Sequence, residues 1–179
     1  MKQEFYEKLS KIVRKEQILE EEPMKKHTTF RIGGPAEYLI LPQTTEEIAD
    51  VIKLCRQEEI PWYIVGNGSN LLVADEGVRG VVIQLLRNFN QIQAEGCQIR
   101  MQAGAQNAAV AKRALDASLT GFEFAAGIPG TIGGAVVMNA GAYGGEMKDI
   151  LKEVTVLDPN GMIRTIPAEE LELGYRTSI

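Results

Sequence analysis

Histidine occurs once in this 179-residue chain, as His27, tryptophan once and cysteine twice. A single histidine leaves no serine–histidine–acid triad with a spare base to assemble. Cys55 and Cys97 lie far apart and form neither a zinc-ligand spacing nor a disulfide framework. No apolar run approaches the roughly 18 residues that a membrane helix requires. The opening MKQEFYEKLSKIVRKEQ is too charged for a secretory signal. Nineteen basic against 24 acidic residues give a net charge of −5, and Lys25-Lys26 is too short to count as a basic cluster. Nucleic acid is therefore not an expected partner, nor is a membrane, and no protein partner is implied. The expected location is a reducing cytoplasm. Low-complexity sequence is missing too. With 45% apolar and 24% charged residues, the chain is expected to form one domain, or two small lobes, with a sizeable core.

Glycine is what the sequence has in quantity, and it gathers in two segments. The first is Gly66-Asn67-Gly68-Ser69-Asn70, after the strand-like run Trp62-Tyr63-Ile64-Val65. The second is Gly127-Ile128-Pro129-Gly130-Thr131-Ile132-Gly133-Gly134-Ala135, running on to Asn139-Ala140-Gly141. Such loops tolerate positive φ, and successive N–H groups in them can converge on an anion. Two of them, carrying neutral polar donors and no lysine, suggest a large phosphate-bearing cofactor gripped by main chain. The first is not a dinucleotide fingerprint, because Leu71 stands where a third glycine would be needed. The plainer alternative for it is a hairpin-like connection from Val65 to Leu71-Leu72-Val73. For the second, glycine density alone does not choose between close ligand approach and tight packing on a neighbour.

Periodicity places these loops in a scaffold. Residues 3–20 read as an amphipathic helix through Phe5, Leu9, Ile12 and Val13, ended by Pro23. Tyr38 to Leu41 reads as a strand. Thr44 and Glu47 form a capping box, followed by a helical stripe of Ile48, Val51, Ile52 and Cys55, the cysteine as core filler. Trp62 to Val65 is the next strand, and a crossover of this length implies parallel pairing. The first glycine loop then lies at the C-terminal end of a parallel strand, the usual place for α/β ligand sites. Val81 to Leu86 and Ile99 to Ala103 are further strands. Asn107 to Leu119 is a helix with a face of Val110, Ala111, Ala114 and Leu115, stopped by Gly121. Val154–Leu157 and Met162–Ile166 flank the hairpin signal Asp158-Pro159-Asn160-Gly161. The expected divisions are an N-terminal helix at 1–20, a first lobe at 21–87 and a second at 97–179, with the seam at Asn88 to Gly96.

Few other residues offer chemistry. His27, beside Lys25 and Lys26, is expected at the surface, as are the runs Glu20-Glu21-Glu22 and Glu169-Glu170. Tyr143 either stacks on a ring or caps the core. Arg176, after Tyr175, is either a carboxylate-binding fork or an ordinary surface arginine. Chemistry would then come from a cofactor, with the protein supplying position and electrostatics.

Together, His27 to Ala36, Val65 to Leu72, Gly127 to Tyr143 and Gly174 to Ser178 resemble the UDP-N-acetylenolpyruvoylglucosamine reductase family. That family lies within the flavin superfamily of vanillyl-alcohol oxidase and p-cresol methylhydroxylase. The resemblance implies an α+β fold, two-lobed and of the p-cresol methylhydroxylase type, with noncovalent FAD held between the lobes. Gly66, Asn67, Gly68, Ser69 and Asn70 would hold the pyrophosphate. Gly130, Thr131, Gly133 and Ala135 would line the flavin and its phosphates, with Thr28, Arg31 and Gly33 completing the first lobe's edge. Asn139 and Tyr143 are further ring-side candidates. The implied reaction passes hydride from NADPH through the flavin to the enolpyruvyl group of a UDP-sugar, giving UDP-N-acetylmuramate for peptidoglycan. Arg176 matches the family arginine that steadies the substrate carboxylate, and Tyr175 is assigned substrate contact. The family's proton-donor serine and assisting glutamate belong to a substrate domain beyond residue 179, so the sequence is expected to be the flavin domain of a longer enzyme. Alternatives are a flavin oxidase of small alcohols or lactones, for which His27 is the only tethering candidate, or a non-catalytic nucleotide-binding module.

Overall fold

The computed structural model describes residues 2–158 and 161–179. The chain divides into two compact units, Met1–Phe89 and Asn90–Ile179.

In the first unit, α1 (Lys2–Leu9) precedes β1 (Ile18–Pro23), β2 (Pro35–Ile40), α2 (Thr45–Gln57), β3 (Trp62–Val65) and β4 (Val78–Gln84). The helix expected over residues 3–20 stops at Leu9. The remaining apolar side chains serve other ends: Val13 is buried beyond the helix, and Ile18 opens a strand antiparallel to β2. Tertiary pairing overrides the local period here. Phe5 packs on Tyr38 with ring centroids 5.4 Å apart, and the Tyr38 hydroxyl donates to the Lys2 carbonyl at 3.0 Å.

The sheet order is β1-β2-β4-β3, with β4 parallel to both its neighbours. Leu39, Ile40, Val81, Val82 and Ile83 are all buried, so these strands bury both faces and read as continuous apolar runs. Thr44 caps α2 by accepting the Glu47 N–H at 3.2 Å. The Glu47 carboxylate does not complete the box at Thr44; it accepts from the Gln43 N–H at 2.6 Å and from Gln17 Nε2 at 2.9 Å. Ile48, Val51, Ile52 and Cys55 face inward.

The second unit opens with an antiparallel pair, β5 (Ile92–Glu95) and β6 (Gln98–Met101). It continues through α3 (Asn107–Asp116), α4 (Ile132–Val137), the short hairpin β7 (Gly141–Ala142) and β8 (Gly145–Glu146), and the ribbon β9 (Glu153–Leu157) and β10 (Ile163–Pro167). Its core includes Val110, Ala114, Phe122, Ile132, Ala135, Ala140 and Met147. Leu115, expected on the inner face of α3, is 70% exposed. Positive φ at Ser118 (56°) ends that helix region before Gly121 is reached. The β9–β10 ribbon is antiparallel, whereas the expected turn residues Pro159 and Asn160 lie outside the described residues.

Candidate functional site

In the first unit, Val65 at the end of β3 pairs with Gln84 at the end of β4, and the two strands are parallel. The Gly66–Asn70 loop therefore leaves a C-terminal strand end and not a hairpin, which only antiparallel neighbours permit. Gly68 has φ +62°, and a Cβ there would lie 2.1 Å from the His27 carbonyl oxygen. Glycine at 68 is demanded by the chain packed against it. The Thr29 N–H also donates to the Gly68 carbonyl at 3.3 Å.

His27 is buried at 5% exposure, against the expectation of a surface residue. Both its ring nitrogens are engaged, Nδ1 3.0 Å from Gln84 Oε1 and Nε2 3.0 Å from Glu22 Oε1. Gln84 Nε2 in turn donates to the Gly66 carbonyl at 3.3 Å, linking the histidine to the loop. Glu22 is half-buried where a solvated side chain was expected. Burial pushes its carboxyl upward, but hydrogen bonds from His27 and Lys26 outweigh this and hold it below its ordinary value.

A cavity of about 100 Å³ opens beside this cluster, with Lys26, Thr28, Thr29, Asn67 and Arg87 on its walls. Two cations, the Thr29 hydroxyl and an amide form a set suited to phosphate oxygens, with Lys26 also bonded to Glu22 Oε1 at 3.3 Å and the Thr28 hydroxyl already donating to the Ile32 carbonyl at 3.0 Å. Sequence reasoning found Asn67 and Thr28 but passed over Lys26, Thr29 and Arg87. Arg87 joins the loop only through the β3–β4 register, for which no local signal exists.

In the second unit, Gly130 has φ +124°, and its carbonyl accepts the Asn107 N–H at 3.2 Å. Thr131 is buried ahead of α4 and bridges Gln106. The N–H groups of Ile132 and Gly133 donate to the Ala105 and Ala103 carbonyls, both at 2.8 Å. A Cβ at Gly133 would stand 2.9 Å from the Ala103 Cβ, and Ala135 is in the core. By contrast, a Cβ at Gly127 would meet nothing within 4 Å, and one at Gly134 only Thr131 Oγ1 at 3.9 Å. Asn107 Nδ2 donates to the Ile128 carbonyl at 3.1 Å, while its buried Oδ1 has no hydrogen-bond partner among the described residues.

Arg176 and Tyr175 form the tip of a turn closed by Gly174 N–H to Thr177 O at 3.1 Å and Thr177 N–H to Gly174 O at 3.4 Å. Arg176 has φ +57°, and its Cζ lies 5.7 Å from the Tyr175 ring centroid. A cavity of about 260 Å³ borders this tip, walled by Asn139, Glu146, Tyr175, Arg176 and the β7–β8 backbone. Tyr143 and Gly144 join β7 to β8 with φ of 53° and 86°, a type I′ geometry. Tyr143 is 98% exposed, which removes the core-capping alternative. Asn139 is 4% exposed, and its amide turns inward. Among the described residues, no group of three histidine, cysteine or acidic side chains could hold a metal, and no helix is long and apolar enough to cross a membrane.

The family described as FAD binding domain matches residues 36–167. UDP-N-acetylenolpyruvoylglucosamine reductase of Alkaliphilus metalliredigens is 49% identical over 178 residues, covering 99% of this chain and 59% of that protein. The solved structure of the Thermus caldophilus protein named UDP-N-acetylenolpyruvylglucosamine reductase superposes with a TM-score of 0.75 at 41% identity. That superposition covers 87% of this chain and 55% of the other. p-Cresol methylhydroxylase superposes with a TM-score of 0.71 at 18% identity, over 91% of this chain and 35% of its own, a likeness of fold alone. The fold is thus the α+β, p-cresol methylhydroxylase type, and the chain spans a little over half the length of the curated relative above. Since the match over residues 36–167 covers more than half of the chain and both glycine loops, the chain belongs to the FAD-binding domain family.

Proposed function

We propose that this chain is the FAD-holding part of an NADPH-dependent reductase that converts UDP-N-acetylglucosamine enolpyruvate to UDP-N-acetylmuramate for peptidoglycan synthesis. The observation that carries the chemical part is Arg176, exposed at a turn tip beside a cavity walled by Tyr175 and Glu146. The reductase name of the relatives, matched along nearly the whole chain, supports the substrate.

The residues present fit FAD. Lys26, Arg87, Thr29 and Asn67 offer the charge and donors that a pyrophosphate needs, beside Thr28. The orphaned Asn107 Oδ1 is an acceptor lacking a donor. Gly66 to Asn70 belong to the first of these groups; Gly130, Thr131, Gly133 and Ala135 shape the backbone around the second. The chemistry supplied by bound FAD is transfer of a hydride from NADPH to the enolpyruvyl β-carbon.

Arg176 supplies what the chain itself adds to that step. Its planar fork engages both oxygens of the enolpyruvyl carboxylate. As hydride adds at the β-carbon, charge gathers on those two oxygens, and the guanidinium holds it until a proton reaches the α-carbon. Tyr175 lies against the guanidinium and contacts the substrate beside it. This chemistry is soluble and cytoplasmic in the proposed setting, with the UDP-sugar as the partner.

The test is an absorption spectrum of the purified chain after mixing with FAD and desalting, followed by anaerobic NADPH. Retained flavin bands, released as free FAD on denaturation and bleached by NADPH, are expected. A chain that remains colourless after saturating FAD overturns the assignment, and a flavin retained after denaturation favours the oxidase alternative. That alternative has little to work with, since both His27 ring nitrogens are already engaged.

A further inference from the structure

The Arg176 turn is closed by two backbone bonds, Gly174 N–H to Thr177 O at 3.1 Å and Thr177 N–H to Gly174 O at 3.4 Å, and flanked by Ile179 N–H to Leu171 O at 3.0 Å. Ser178 Oγ donates to the Val137 carbonyl at 2.9 Å. One buried side chain adds a further tie. Asn139 Nδ2 donates to the Gly174 carbonyl at 3.1 Å and to Glu146 Oε2 at 2.7 Å, while its Oδ1 accepts the Lys148 N–H at 3.0 Å.

We propose that Asn139 is the positioning residue for Arg176, joining the end of α4, the β8 strand and the arginine turn through one amide. Three arguments carry it. First, no residue except asparagine or glutamine offers two donors and an acceptor on one planar group, and all three capacities are used. Second, Asn139 itself has φ +39°, a left-handed backbone that asparagine tolerates better than most residues. Glutamine lacks that tolerance, so backbone and side chain select asparagine together. Third, Arg176 also sits at positive φ, a conformation that persists only where the surroundings over-determine it. The amide also fixes Glu146, because Glu146 Oε2 receives Lys148 Nζ at 2.9 Å as well as Asn139. One residue therefore sets the spacing between the cation and the nearest carboxylate on the cavity wall. The functional weight of this rests on the reading of Arg176 as the carboxylate-binding group.

Two variants of the whole chain test it. Asn139→Gly keeps the backbone at ease and deletes the amide. Asn139→Asp keeps the shape but faces the Glu146 and Gly174 oxygens with acceptors only. Amide hydrogen exchange is read by NMR at Thr177 and Lys148, with the β9–β10 amides as internal control. Exchange at Thr177 is expected to quicken about tenfold or more in both variants, and at Lys148 in Asn139→Gly alone because aspartate keeps the acceptor, while the control stays within about twofold. Unchanged exchange at Thr177 overturns the proposal. A rise shared equally by β9–β10 also overturns it, since Asn139 would then serve the unit's general stability. In parallel, the Arg176 Nε–H signal is followed during titration with UDP-N-acetylglucosamine enolpyruvate. A response in the parent chain that weakens about tenfold in Asn139→Gly supports the positioning role. No response in the parent chain sinks the reading of Arg176, and the exchange result still decides the brace by itself.

Discussion

Arg176 stands in a backbone conformation that costs a residue with a Cβ about 1–2 kcal/mol. Replacing it by glycine should raise the melting temperature by a few degrees while abolishing engagement of a carboxylate; calorimetry and ligand titration on the same variant measure both. Gly68 presents the opposite case. Gly68→Val is expected to destabilise the apo chain by more than about 2 kcal/mol, because its side chain would meet the His27 carbonyl. A denaturant midpoint measured without FAD reads this, and an unchanged midpoint would return the glycine to a purely ligand-driven role. The cysteines divide in the same manner. Cys55 is fully buried, and burial pushes its thiol up to about 12, whereas Cys97 is exposed. A thiol reagent should therefore titrate one cysteine in the native chain and two after unfolding. The positive φ at Gly68 was legible because residue type marks a turn of that kind. The buried His27 was not, since its partners Glu22 and Gln84 lie 5 and 57 residues away.

At the scale of elements, what was legible depended on whether one short window held the whole cause. α2 carries its cap and its apolar stripe within a single stretch, and it forms as its sequence implies. Thr44→Ala should cost about 1 kcal/mol, read by urea denaturation. β1 was hidden because Ile18-Leu19 continues a helical period and Glu20-Glu21-Glu22 suggests solvent; only pairing with β2 makes it a strand. The pairing of β2 with β4 brings in an acid-sensitive contact. The Glu37 carboxylate accepts the Gly80 N–H at 3.0 Å and pairs with Lys2 at 3.3 Å. The Gly80 bond, with help from Lys2, holds Glu37 below its ordinary value against the opposing effect of burial. A carboxyl lowered on folding adds stability that is present above its unfolded value of about 4.3 and is lost as pH falls through the folded one. Below about pH 4, therefore, the parent chain should lose stability more steeply than Glu37→Gln. Parallel slopes would remove Glu37 from the acid response.

For the whole molecule, two units each hold a buried apolar core, and the boundary at Phe89 and Asn90 lies where composition turns polar. The α+β class came with the family resemblance, and sequence patterning conveyed the parallel crossover. It did not convey the sheet order, because the residues of β4 follow both strands that β4 separates. That order carries a consequence for synthesis. As the chain leaves the ribosome, β2 and β3 appear first, yet neither can pair with the other across the gap reserved for β4. Until Gln84 has emerged, the growing polypeptide carries two unmatched apolar edges, and the walls around Asn67 and Arg87 do not yet exist. Nascent chains halted before Val78 should accordingly be captured by chaperones and cut by protease, and those released past Phe89 should resist. The cavity beside Asn67 and Arg87 is thus assembled in one late event, by a strand arriving between two that are already waiting.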